Sequence, residues 1–204
     1  VMSVPKLLSA SAGFDAMSQA LESLLSVKSN DQSVKYAIKS LECSIDNLEQ
    51  HINKQSFETA TKMCNASFFS GKAINISKTT APHAVSYPFN SFYGIKHGHA
   101  VSLTLCDFLS FNYQNLMNSK ANFDLKHRFD LIFKSFKVND IKDLNQKIEK
   151  ILKNINLVSD LKKLKINKYS DVEKIVSNIN SQRLKNNPVP LDVSKVKEIL
   201  LKKI

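Results

Sequence analysis

Almost nothing in this chain favours a strand. Apolar residues recur at steps of three and four through most of its 204 residues, alternating runs are nearly missing, and glycine occurs only four times. That period lays apolar groups along one face of a helix, whereas a strand needs period two. The fold class expected is therefore all-α. A chain of this length buries one substantial core, so residues 1–204 are expected to form a single helical domain.

The helices can be placed from their faces and stops. Phe14, Met17, Leu21, Leu24 and Leu25 predict a helix over 12–27, entered through Ser11, Ala12 and Gly13. A second runs from about Asp31, as N-cap, to about His51, with Val34, Ile38, Leu41, Ile45 and Leu48 on one face. A third covers 56–69 and stops before Gly71. Two prolines, two glycines and two histidines between Lys78 and Gly98 suggest a short helix broken by a loop. From Ala100 to Tyr113 the apolar residues lie nearly all round, so that helix should be buried. Amphipathic helices are expected over 125–136, 141–154, 170–179 and 193–203, the last entered through the extended segment at Pro188 and Pro190.

Composition excludes several functions. No apolar run approaches the ~20 residues that cross a bilayer, and no signal segment opens the chain, so a soluble, cytoplasmic protein without membrane partners is expected. Cys43, Cys64 and Cys106 are odd in number and widely spaced, which encodes neither a disulfide framework nor a thiolate zinc site; they are expected to fill core space. The net charge of +11 comes from lysines spread among Asp, Glu and Asn, with Arg128 and Arg183 the only arginines. Nucleic-acid readers cluster their cations on one element, so this charge reads as a solvated face that can attract anionic small molecules. A basic helical binding module remains an alternative.

One polar set has the chemistry of a metal site. Asp15 and Gln19 lie four apart, hence on one helix face, and His83 and His97 flank the proline- and glycine-rich segment. One carboxylate, one amide oxygen and two neutral imidazoles suit iron(II), zinc, manganese or nickel. Taken singly, Asp15 also suits a helix N-terminus, Gln19 an ordinary polar position, and each histidine is ambiguous. His99 reads as a supporting or structural residue, His51 and His127 as surface residues, and Lys96 as a solvated lysine.

Together these residues form a pattern. Gly13, Asp15, Ala16, Gln19, Ala20 and Glu22, then His83, and fourteen residues later His97 with Gly98, resemble the iron-containing (group III) alcohol dehydrogenase family. That superfamily also includes glycerol dehydrogenase and dehydroquinate synthase. The closing segment, in which Asn187 and Pro188 lead into a last helix, is similar as well. The resemblance implies the dehydroquinate synthase-like α-helical C-terminal domain, with Asp15, Gln19, His83 and His97 as metal ligands. Fe(II) is the first expectation for the ion and zinc the alternative.

The pattern departs from the family at Gln19, where most members have histidine, and at Tyr87, where many have another. Tyr87 is the candidate catalytic residue, to orient a substrate oxygen or donate a proton. The implied activity is NAD(P)-dependent interconversion of a small alcohol and an aldehyde, with the ion polarising the oxygen. NAD(P) would be held mainly by an α/β half that this sequence does not contain, and a homodimer is the family's frequent assembly. The combination of Gln19 with the segments around His83 and His97 resembles the branch that reduces phosphonoacetaldehyde, whose anionic substrate would suit Lys78 or Lys96. A dehydroquinate synthase-like cyclase is the enzymatic alternative.

Overall fold

The computed structural model describes residues 3–204, all helix and connection with no strand among them. In chain order the helices are α1 (Lys6–Leu25), α2 (Asp31–Ser44), α3 (Leu48–Asn53), α4 (Phe57–Ser77), α5 (Ala81–Tyr93) and α6 (His97–Gln114). After a single 3₁₀ turn at Leu116–Asn118 come α7 (Leu125–Phe136), α8 (Ile141–Asn154), α9 (Tyr169–Val176), α10 (Ser181–Leu184) and α11 (Val193–Leu201). None of them is long and apolar enough to cross a membrane.

Local chemistry explains the sharpest boundaries. Asp124 and Asp140 accept from the backbone N–H groups of His127 and Asp143, so α7 and α8 begin where expected. Asn30, rather than Asp31, caps α2: its side chain accepts from Ser33 N–H while the Ser33 hydroxyl accepts from Asn30 N–H. The helix expected to reach His51 instead stops at Ser44, because Asn47 turns its amide back onto Cys43 O, and α3 starts afresh.

Three expectations fail for tertiary reasons. α1 begins at Lys6, six residues early, because Ala10 and Ser11 are buried against neighbours and the Ser-Ala-Gly stretch continues the helix. α4 runs through Gly71 to Ser77, since Ser70, Ala73 and Ser77 all bury on its inner face. Between Ala81 and Tyr93 the chain is one continuous helix with Pro88 inside it, not a short helix broken by a loop. That helix stops at Gly94, whose φ of 65° is the left-handed conformation glycine adopts without strain, so the turn into α6 is only three residues long.

Two apolar clusters share α6. One gathers α1, α2, α4, α7 and α8 around Phe14, Met17, Leu21, Leu105 and Leu109. The other gathers α5, α9 and α11 around Phe89, Leu103 and Phe108. Opposite faces of α6 are thus both buried, as its nearly continuous apolar sequence requires.

The approach of α6 to α1 is set by Gly98. A Cβ there would stand 2.0 Å from Ser11 O and 2.7 Å from Asp15 Cβ, so only glycine lets the start of α6 lie on α1 beside Asp15. The same contact is pinned by His99 N–H donating to the Ser11 hydroxyl at 3.1 Å.

Some side chains fall elsewhere than expected. His51 is buried, with its ring 3.5 Å from the Thr59 hydroxyl, because the break after Ser44 turns α3 inward. Cys64 is exposed and Cys43 and Cys106 are half-buried, so the thiols fill less of the core than composition suggested. His127 is exposed as expected.

Candidate metal centre

Three helices deliver the expected residues to one point. Asp15 comes from the middle of α1, His83 from the first turn of α5, and His97 is the first residue of α6. Asp15 Oδ1 stands 3.4 Å from His83 Nε2 and 3.7 Å from His97 Nε2. One donor atom from each of the three lies within 4.8 Å of the others.

These spacings fit a shared ion better than a direct bond. Two ligand atoms at ~2.0–2.1 Å from a tetrahedral ion stand about 3.3–3.4 Å apart, close to the separations here. Asp15 Oδ1 and His83 Nε2 are moreover buried without any hydrogen-bond partner. Orphaned polar atoms of that kind are costly unless something else satisfies them, and a divalent cation would satisfy both. The donor set therefore fits the metal that the sequence implied.

Gln19 reaches the cluster differently from the expectation that it ligates. Its Nε2 donates to Asp15 Oδ2 at 2.7 Å and its Oε1 accepts from the Ser70 hydroxyl at 2.9 Å. Both polar ends are engaged, so in this arrangement it orients the Asp15 carboxylate. Ser70, on α4, carries no signal in the sequence for this part.

Glu22 belongs to the pattern in the sequence, but its role at the site becomes visible only in the structure. Its side chain is 1% exposed, and its Oε1 lies 2.6 Å from His83 Nδ1. Its Oε2 accepts from Thr80 N–H at 2.8 Å and from the Thr80 hydroxyl at 3.0 Å. Since α5 has no capping side chain of its own, Glu22 both caps that helix from α1 and fixes the His83 ring with Nε2 toward Asp15. A signal existed: Glu22 lies seven residues after Asp15, on the same face of α1.

Electrostatics separate the two histidines. Burial pulls His83 down more than any other single influence, but the Glu22 and Asp15 carboxylates together push it up to about 10. Binding a cation at Nε2 must therefore displace a proton. Burial holds His97 below its ordinary value, and the His83 and Arg183 charges add to this against the pull of Asp15. These influences favour the neutral imidazole, the form a ligand must have.

The remaining neighbours define an opening. A cavity of about 600 Å³ is bordered by Gln19, Lys78, His83, Tyr87, His97 and Arg183. The Tyr87 ring is 5.6 Å from that of His97, and its hydroxyl accepts from an Arg183 N–H. Lys96 ends as the exposed residue preceding α6, while His99 Nε2 lies 2.7 Å from Val158 O, a structural role.

The sequence matches the Fe-containing alcohol dehydrogenase family, C-terminal, over residues 9–204. The chain belongs to that family. Among relatives of this Fe-containing alcohol dehydrogenase-like chain, 1-propanol dehydrogenase PduQ of Citrobacter freundii is 27% identical over 208 residues, covering 98% of this chain and 56% of the relative. Phosphonoacetaldehyde reductase of Streptomyces viridochromogenes is 30% identical over 101 residues, 48% of this chain and 25% of the relative. A crystal structure of sulfoacetaldehyde reductase from Bifidobacterium kashiwanohense in complex with NAD+ superposes with a TM-score of 0.86 at 26% identity. That superposition covers 99% of this chain and 51% of the reductase, so the chain spans about half the length of that relative. These names are of reductases and dehydrogenases, and a cyclase is not favoured.

Proposed function

We propose that residues 1–204 form the metal-binding part of an NAD(P)-dependent alcohol dehydrogenase or aldehyde reductase, with Asp15, His83 and His97 holding a divalent ion, iron(II) first and zinc second. The observation that carries this is the convergence of three donor atoms, two of them buried and unpartnered, on one point beside a cavity. When bound, the ion supplies Lewis-acid polarisation of an alcohol or aldehyde oxygen.

The chain's own groups do the rest of the positioning. Glu22 holds His83 in one orientation, and Gln19, itself held by Ser70, does the same for Asp15. Tyr87 borders the cavity, and because its oxygen accepts from Arg183 its own proton is free to be donated to a substrate oxygen. NAD(P) is held mainly by residues outside this chain, a reading supported by the NAD+ complex of the structural relative and by its greater length. At the level of substrate, we assign a small aldehyde with an anionic group, phosphonoacetaldehyde the first candidate, supported by the relatives named for phosphonoacetaldehyde and sulfoacetaldehyde. The three thiols are all free, which suits a reducing compartment such as the cytoplasm.

Elemental analysis tests the metal. The purified protein should carry about one divalent ion per chain, and Asp15→Ala or His97→Ala should lose it. Unchanged metal content in both variants would refute the site. For the activity, the full-length protein, with the residues that hold NAD(P), should oxidise NADPH or NADH with small aldehydes; turnover only of sugar phosphates would defeat the dehydrogenase reading.

A further inference from the structure

The cavity beside the metal cluster has a second chemistry in its wall. Among the described residues its border carries two positively charged side chains, Lys78 and Arg183, and no carboxylate, the nearest being Asp15 beside His83 and His97. The Arg183 guanidinium lies over the Tyr87 ring, 4.5 Å from its centroid, and donates to the Tyr87 hydroxyl. Tyr87 in turn stands 5.6 Å from His97, so one aromatic ring links the cation to a metal donor. Stacking plus a hydrogen bond fixes the planar guanidinium and leaves its other N–H groups for a ligand.

Lys78 is held by unusual means. Its φ of 60° and ψ of 179° describe a backbone conformation that side-chain-bearing residues rarely adopt. The conformation is maintained by the Ser77 hydroxyl donating to Lys78 O at 2.9 Å and by the Ser26 hydroxyl donating to Ser77 O at 2.6 Å. Lys78 Nζ donates to Asn75 O at 3.1 Å, which places the ammonium on the cavity rim with two N–H groups to spare. Asn186 and Thr79, joined at 3.2 Å, border the same space.

We propose that Arg183 and Lys78 form an oxyanion-binding subsite that determines specificity, so that the alcohols and aldehydes accepted are short ones with a phosphonate or sulfonate at the far end. Arg183, oriented by Tyr87, binds the oxyanion by paired N–H donors, and Lys78 adds the second charge that a dianion requires. This rests on the reading that the substrate oxygen meets the Asp15, His83 and His97 cluster. It adds to that reading which residues choose the substrate.

NMR titration of the zinc-loaded protein with 2-hydroxyethylphosphonate, 2-hydroxyethanesulfonate and 1-propanol tests the proposal. Arg183→Ala should weaken both anions about 10- to 100-fold, the usual loss for a charged hydrogen bond, and weaken 1-propanol, which it meets only through Tyr87, by much less. Arg183→Lys should recover part of the loss. Lys78→Met should weaken the phosphonate dianion more than the sulfonate. Anion affinities equal in wild type and both neutral variants, or no preference of the wild type for either anion over 1-propanol, would overturn it. Methylphosphonate, which has no oxygen to present to the cluster, separates the two readings. If the metal reading alone fails, Asp15→Asn keeps full affinity for 2-hydroxyethylphosphonate, while methylphosphonate binding still depends on Arg183.

Discussion

Replacing Glu22 by glutamine keeps the shape of a buried side chain and removes its charge. The carboxylate now serves four donors: the His83 ring at 2.6 Å, Thr80 N–H at 2.8 Å, the Thr80 hydroxyl at 3.0 Å and, more distantly, His83 N–H at 3.5 Å. An amide has one accepting oxygen. If that oxygen stays with Thr80, the NH₂ group faces His83 Nδ1, which must then accept, and the ring proton moves to Nε2, the atom turned toward Asp15. A protonated Nε2 has no lone pair for an ion. If the amide flips, NH₂ confronts Thr80 N–H, and a buried donor is left unpaired at a cost of about 1–3 kcal/mol. Either orientation loses something.

Loss of a residue that orients a ligating histidine typically costs 10–100-fold in metal affinity, about 1.4–2.8 kcal/mol. Glu22→Gln should therefore bind zinc or iron(II) that much more weakly, measured by competition with a chromophoric chelator. Calorimetry of the metal-free protein should show a melting temperature lower by about 2–10 °C, which follows from 1–3 kcal/mol in a chain of this size. Asp15→Asn serves as the control that removes a donor outright. A Glu22→Gln protein that binds metal within twofold of wild type would refute the orienting role, however much its stability had fallen.

Three further outcomes follow from the geometry. His83 is raised from 6.5 to about 10, so in the metal-free protein its protonation contributes stability that is fully present below pH ~6.5 and lost as pH rises through about 10; metal affinity, which competes with that proton, should climb by up to about tenfold per pH unit across the same range, read from chelator competition. Gly98→Ala places a methyl group against the Ser11 carbonyl and Asp15, and overpacking of this kind costs about 1–3 kcal/mol or more; both the melting temperature and the metal content should fall. Burial favours protonation of Asp171, but hydrogen bonds from Lys168 N–H, Tyr93 and Asn167 N–H outweigh it and hold the carboxyl below its usual value. Its contribution is thus present above pH ~3.8 and lost as pH falls through the lowered value, and Tyr93→Phe should cost about 0.5–1.5 kcal/mol at pH 7 and less in strong acid, measured by urea unfolding.

What the sequence discloses depends on how local the cause is. α7 and α8 were legible to the residue, because an aspartate cap and an apolar face within a dozen residues decide them. Pro88 and Gly71 misled for the converse reason: their local cost is real, but burial of Val85, Phe89 and Ala73 on the inner faces outweighs it. The site divides the same way. Asp15, His83 and His97 are ambiguous singly and stand out only through the family pattern they resemble, and the structure brings them together.

Glu22, Ser70 and Arg183 act through partners 61, 51 and 96 positions away, distances over which no periodicity speaks. Gln19 shows the limit most clearly. Its place four residues after Asp15 is read directly, but whether an amide oxygen points at an ion or its NH₂ points at a carboxylate depends on the hydroxyl that Ser70 supplies from another helix. Ser70→Ala should therefore loosen Gln19 and, through it, Asp15. Metal affinity would fall by less than in Glu22→Gln, since the Gln19 to Asp15 bond itself survives.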